Sequence, residues 1–488
     1  MKYIEISSYF LYTVFTTKSN KKELMKHMLS DFHSNDDILS TSFGSFAKKF
    51  NVFSLLSKCG AKKLRGVSVS VVFSYLFSIA FRHTTVNQDQ KGRKNPQSVG
   101  KDCVHRFLQS PKIDWNRFTA LLAAAIIRLE FKPIYDKSSK KVANRRCLVI
   151  DDSSFKRDRS KKVELLATCF DHVHHVYFRG FRMLTLGYTD GQSFLPVAQC
   201  AMSTENEKMR INDASEVEEG SAGHQRRQMA QKKATESMLD LIDYATDAGI
   251  EASYVLFDSW FSSPAQVTAV LEKGYDVVCM VKKNKTKYAC TDGVKRNVSQ
   301  IFRSSKKRRG LSKYLLSQVV SIKDEQGRQR EVKLVFVRNR SNRKDFLILL
   351  STDIALDEQE IIALYGNRWS IEVFFKNCKS QLRLEKGNQS LNYDEISAHI
   401  ALVFTQYMML SHLRRINTDE RSIGELFLAM VEEMKDAAFD NALELILYLF
   451  IDKAVQAEPH LQQKLYELAD LFISTLPNLM RDQLKQVS

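Results

Sequence analysis

The sequence predicts an α/β protein with a β-rich insertion, flanked by helical N- and C-terminal regions. Three observations carry that expectation. Two short apolar runs, Cys147 to Ile150 and Tyr254 to Phe257, each lead straight into an aspartate. Four further strand-like runs lie between the second aspartate and the segment Tyr365 to Lys379. Helical spacing of apolar residues dominates before residue 145 and after residue 379.

Composition sets the outer bounds. A chain of 488 residues has room for roughly two to four domains and at least one large core. Hydrophobic residues make up 44%, which fits a soluble globular protein, and the formal charge of +17 suits a polyanionic partner. Nucleic acid answers that charge better than a membrane surface. Eight cysteines are scattered without a C-x-x-C pair, which argues against a zinc finger or a disulfide framework. Reduced thiols point to the cytoplasm. The opening apolar stretch Tyr9 to Phe15 lacks the features of a signal peptide. The most membrane-like run, Val67 to Phe81, has about 15 residues against the roughly 20 needed to span, so a buried helix is expected.

The elements follow in order. Residues 1 to 144 read as a helical, basic region, whose short basic helix could sit in a DNA groove or belong to an ordinary helical bundle with solvated lysines. Within it, Asn87 to Gly100 is a polar loop. Ser98 can cap a short helix through Leu108 that carries Lys101, His105 and Arg106 outward. Asp114 can cap the next helix, Trp115 to Leu129. From Arg145 the pattern turns to strands: Cys147 to Ile150, His174 to Leu186, and, past the turn Asp190-Gly191, Ser193 to Ala198. A polar loop, Glu205 to Gln225, and a helix, Lys232 to Ala248, precede the strand Tyr254 to Phe257. Between Asp258 and Glu372 lie 113 residues, too many for one crossover helix. The candidate strands Asp276 to Lys282, Leu315 to Ile322, Val332 to Arg338 and Phe346 to Thr352 fill that gap. Basic turns separate them, among them Lys306, Lys307, Arg308 and Arg309, which suit phosphate contacts. The division expected is 145–258 and 356–415 as two parts of one core, with 259–355 as the insertion. The helical segments Ile423 to Met434, Asn441 to Val455 and Leu461 to Thr475 belong to a C-terminal region, 416–488, that could serve a dimer.

Candidate chemistry gathers at Tyr365 to Lys379. On a helix of about 100° per residue, with Tyr365 at the origin, Arg368 falls near −60°, Glu372 near −20° and Lys379 near −40°. A phenol, two cations and a carboxylate thus share one stripe of an otherwise largely apolar helix. Charge pairing on a solvated face is the ordinary account of such a stripe. The alternative is a carboxylate that holds metal while its neighbours grip phosphate. Ligand sites in α/β sheets lie off the carboxyl ends of strands. Two strand-end aspartates and one helix glutamate can therefore supply oxygen ligands to hard divalent ions. His172, His174 and His175 resemble a metal cluster, but alternation on a strand splits them between faces. Trp260 and Phe261 read as core or wall residues, with base stacking the alternative, and Trp369 reads as a core residue.

The spacing Tyr365, Arg368, Glu372, Lys379 resembles the Y-R-E-K signature of bacterial cut-and-paste transposases of the IS-four type. The motifs VIDDSS and YVLFDSWFSS, and the phrase GYTDGQSFLPV between them, are also of that family's kind. The resemblance implies a ribonuclease-H-like catalytic core with a DDE triad of Asp151, Asp258 and Glu372, Asp152 being the alternative to Asp151. It implies two Mg2+ ions, with Mn2+ able to substitute, held by that triad. It implies phosphate contacts by Tyr365, Arg368 and Lys379. The partners implied are double-stranded DNA, as element ends and target, and a second copy of the chain in the DNA complex. A metal-dependent nuclease without strand transfer and a non-catalytic DNA-binding derivative are the competing readings.

Overall fold

The computed structural model describes residues 37–62, 65–81, 99–131, 146–171, 174–309, 312–324, 326–339 and 345–416, with single positions or short runs elsewhere. The first 36 residues, most of the loop Asn87 to Gly100, His172, and nearly all of the expected helices beyond residue 421 lie outside the described residues. The chain divides into two compact units, one of Met1–Lys49, Phe81–His83 and Glu425–Ser488, the other of Phe50–Ala80 and Thr84–Gly424. In the first, helix α1 (Asp37–Lys49) buries Phe43, Phe46 and Ala47.

The second unit opens with α2 (Val52–Lys58), α3 (Val69–Ile79), α4 (Lys101–Leu108) and α5 (Trp115–Glu130). Within the run Val67 to Phe81 the expected helix forms over Val69–Ile79 and is largely buried, with Val71 exposed in its first turn, which the Ser68 hydroxyl caps. No described helix is long and apolar enough to cross a membrane. Helix α4 starts at Lys101 with Gly100 in the cap position. The expected Ser98 cap lies outside the described residues. Asp114 does cap α5, accepting the Arg117 amide at 3.0 Å.

Strands β1 (Cys147–Lys156), β2 (Ala167–Asp171), β3 (Val176–Thr189) and β4 (Phe194–Met202) come next, then helices α6 (Ala222–Ala230) and α7 (Ala234–Asp247). Strand β5 (Tyr254–Phe257) leads through α8 (Pro264–Glu272) to β6 (Asp276–Met280). They are followed by β7 (Lys287–Cys290), β8 (Lys295–Asn297), α9 (Val298–Ser304), β9 (Tyr314–Lys323), β10 (Gln329–Arg338) and β11 (Phe346–Ser351). Helices α10 (Glu358–Gly366), α11 (Trp369–Ser380) and α12 (Tyr393–Ile416) complete the unit. All the strands join one sheet in the order β2-β3-β1-β5-β6-β11-β10-β9-β7-β8, with β4 also on β3. Strands β1, β5 and β6 are parallel, and β3 is antiparallel to β1.

Three sequence expectations change here. The first apolar run does not stop at Asp151: β1 stays paired with β3 as far as Lys156↔Gly180. What ends there is β5, whose last parallel partner is Ile150↔Phe257. The aspartates therefore sit where one strand continues and its neighbour has stopped. Second, α8 is a crossover helix inside the 113-residue span, because parallel neighbours β5 and β6 need a connection that returns along the sheet. Third, Tyr365 to Lys379 is not one helix. Hydrogen bonds tighten to i→i−3 at Asn367, Arg368, Ser370 and Ile371, making a short joint between α10 and α11.

Packing locks the sheet edge. On α5, Asn116 exchanges two bonds with the backbone of Gln199, at 2.8 and 3.0 Å, and Thr119 donates to the Val197 oxygen at 2.7 Å. From α12, the Tyr393 hydroxyl donates to the Ala201 oxygen at 2.7 Å. These bonds cover β4, which is buried along its whole length. Arg227 of α6 holds Glu164 at 2.6 Å and Asp394 at 2.8 Å in a buried ionic cluster. Burial alone would raise the Glu164 carboxyl, but the bonds from Arg227, Tyr393 and Ser215 outweigh it and hold it below its ordinary range.

Candidate active site

Asp151 lies on β1, and Asp258 follows the last residue of β5. One step beyond the Ile150↔Phe257 pair, Asp151 is still within β1 while Asp258 has left β5, and the Asp258 charge acts on the Asp151 carboxyl. Strand neighbours are about 4.8 Å apart, close enough for like charges to repel. Burial, with Asp152 and Asp258 adding to it against Arg368, pushes the Asp151 carboxyl up to about 7. Burial likewise raises Asp258, which also accepts the Trp260 amide at 2.8 Å.

Helix α10 begins in a capping box formed by Asp357 and Glu360. Helix α11 buries Ile371, Phe374, Phe375 and Cys378, a spacing that fixes one face inward. Phe374 meets Phe194 and Tyr407 at 5.0 and 4.8 Å between ring centroids. That anchor turns Glu372 and Lys379 toward β1. Arg368, at the joint, donates from Nη1 to Asp151 Oδ2 at 2.7 Å and from Nη2 to Glu372 Oε1. One guanidinium thus joins two carboxylates 221 positions apart in sequence (372 − 151). The Tyr365 ring centroid lies 5.9 Å from the guanidinium carbon. Lys379 Nζ donates to the Ser154 backbone oxygen at 2.6 Å and pairs with Glu385 at 3.0 Å.

Asp152 faces elsewhere, where Arg182 of β3 pairs with it. The Arg182 guanidinium carbon and Lys282 Nζ lie 5.2 and 4.4 Å from the centroid of the Trp260 ring. Trp260 is 43% exposed and Trp369 63% exposed, so neither is a core residue, whereas Phe261 is buried. The face of α11 decides Trp369: it lies opposite Phe374 and Cys378, and residue type does not override that placement.

The remaining candidates separate. His105 is committed to Glu395 on α12 at 3.1 Å, while Lys101 and Arg106 are exposed. Lys306, Arg308 and Arg309 are exposed and Lys307 is half-buried, in the segment between α9 and β9. His174 bonds Asp171 at 3.0 Å, which gives it a local role. Sequence reasoning missed Ser154, Arg182 and Glu385, partners defined only by the tertiary fold.

Among the described residues no three His, Cys, Asp or Glu side chains form a ready-made metal-binding group. The donor chemistry nevertheless fits a hard divalent cation. Asp151, Asp258 and Glu372 offer only carboxylate oxygens, and the first two are repelled and desolvated in the way that a cation would relieve.

A mixed α/β sheet that carries one aspartate within β1 and another just past β5, with the first joined to a helix glutamate through an arginine, is the frame of a nuclease-type site. A family model described as DDE superfamily endonuclease matches residues 94–344. The chain belongs to that family. Membership implies DNA as substrate and nuclease or transposase chemistry, and nucleases of this superfamily generally use divalent metals. No curated protein matches the chain.

Proposed function

We propose that the chain is a DNA transposase of the IS-four type, which cleaves the ends of its own element and joins them to a target. The observation that carries this reading is the pairing of Arg368 with both Asp151 and Glu372, since it unites acids from separate motifs with the Y-R-E-K arginine. The strand order β4-β3-β1-β5-β6, with β3 the antiparallel member beside three parallel strands, supports a ribonuclease-H-like core. On this reading 145–258 and 356–415 are the two parts of the core, and 259–355 is the insertion. Residues 1–144 bind element ends and 416–488 serve dimerisation.

Asp151 is the preferred first acid, because Arg368 links it to Glu372 while Asp152 is taken by Arg182. Asp151, Asp258 and Glu372 would hold two Mg2+ ions, which when bound supply nucleophile activation and stabilise the leaving oxygen. The protein's own groups orient the DNA. Arg368 presents two donors suited to a phosphate, and Lys379, about three turns further along the same stripe, presents a point charge. Tyr365 sits beside Arg368 to hydrogen-bond the backbone.

The test is incubation of the purified chain with Mg2+ and DNA carrying the flanking inverted repeats of its own gene. Cleavage followed by joining to a second DNA is the expected result. Cleavage without joining would identify a nuclease, and binding alone a non-catalytic derivative.

A further inference from the structure

We propose that Arg368 is a built-in counter-cation that must exchange carboxylate for phosphate, and that this exchange couples metal binding to DNA binding. The proposal rests on the metal-dependent reading above and goes beyond it. The two ends of the guanidinium fork are each spent on a different acid, Nη1 on Asp151 and Nη2 on Glu372. Those carboxylates belong to the set assigned to the metal. Arginine stays charged at any working pH, so it cannot vacate the site by losing a proton. It can leave only by trading partners.

The placement suits such a trade. Arg368 stands at the joint between α10 and α11, where its amide donates to the Tyr365 oxygen. The backbone is thereby fixed while the side chain reaches out from a break in the helix. The guanidinium is partly shielded, with 15% of the side chain exposed, against 34% for Glu372. Lys379 is likewise engaged, by Ser154 and Glu385. Both cations of the signature are thus neutralised by protein acceptors. A divalent ion drawn to Asp151 and Glu372 would expel the guanidinium, and a phosphate would receive it bidentately. The coupling must be reciprocal: DNA that draws Arg368 away leaves two carboxylates in need of a cation. A plain strut between α11 and β1 would behave differently, since its removal would loosen the carboxylates.

The experiment is a Mn2+ titration of the full chain, followed by electron paramagnetic resonance, with and without sheared duplex DNA. Arg368→Gln is expected to bind Mn2+ more tightly than wild type in the absence of DNA, by on the order of tenfold, and to lose the gain that DNA gives wild type. Arg368→Lys, which can reach one carboxylate at a time, is expected to fall between them and guards against a folding defect in the glutamine variant. Equal or weaker Mn2+ binding by both variants, with binding still lost in Glu372→Gln, would overturn the exchange and leave the metal site standing. Absence of site-specific Mn2+ binding in wild type, with or without DNA, would remove the metal reading and the exchange together.

Discussion

Lys379 donates to the backbone oxygen of Ser154 at 2.6 Å, which hooks the last turn of α11 onto the strand that carries Asp151. The glutamate and the first aspartate are therefore held in one frame from two directions, by Arg368 at one end of α11 and by Lys379 at the other. If Lys379 turns to a phosphate in the complex, Lys379→Ala should lower the salt dependence of DNA binding by about one unit of slope, because one fewer counterion is released. Filter binding across a salt series reads this directly. An unchanged slope would leave Lys379 as a structural hook only.

Glu372→Gln should abolish metal-dependent cleavage while DNA binding persists. The amide keeps the size of the side chain and its place on α11, but it lacks the charge needed to hold a cation. Retained cleavage, measured on labelled DNA beside a gel-shift control, would exclude Glu372 from the catalytic triad.

The raised Asp151 carboxyl gives metal binding a pH dependence. Its proton leaves near pH 7, so a metal ion competes with that proton below this value and not above it. Affinity should fall as pH drops through 7 toward 5, by up to about tenfold per pH unit for a single proton. Calorimetry in buffers of different ionisation heat should show about half a proton released per binding event near pH 7, rising toward about one near pH 6.

Gly180 tests the fold itself. Its φ is +154°, and a Cβ there would come 2.2 Å from the Phe155 backbone oxygen on the paired strand. Gly180→Ala should destabilise the protein by about 1–3 kcal/mol, from backbone strain and displacement of β1. Thermal unfolding checks this, and an unchanged midpoint would mean that β1 and β3 pair less tightly than described.

Removing Arg227 should be worse. Arg227→Met would leave Glu164 buried without its cation and Asp394 with Arg226 as its remaining one, at a cost of about 3–5 kcal/mol. The sign with pH is set by Glu164, whose carboxyl is held below its ordinary value of 4.5. Its contribution is present in full above pH 4.5 and is lost as pH falls through the lower folded value. Urea titrations of wild type and variant should therefore converge in acid.

Much of the geometry of the candidate site was legible in the sequence. Asp151 and Asp258 were visible because an apolar run that ends in an acid is a local pattern. The stripe of Arg368, Glu372 and Lys379 survived a break in the helix because Asn367 and Arg368 keep near-helical dihedrals across the joint. Strands β2, β7 and β8 were not legible: they have five, four and three residues and no run of apolar alternation to announce them. Trp369 was misjudged by its chemistry when its position on α11 already placed it outward. Ser154, Arg182 and Glu385 left no local trace, since a partner drawn from another element is a property of the assembled chain.

The unbroken ladder from β1 through β5 and β6 to β11, β10 and β9 has a mechanical meaning. The outer hairpins cannot swing on a hinge, because they share hydrogen bonds with the very strands that present the acids. Shortening the protein by excising them would strip the flank of β6 and leave a sticky margin close to Asp258. A smaller engineered version would need a replacement strand there, or it would clump before it could cut.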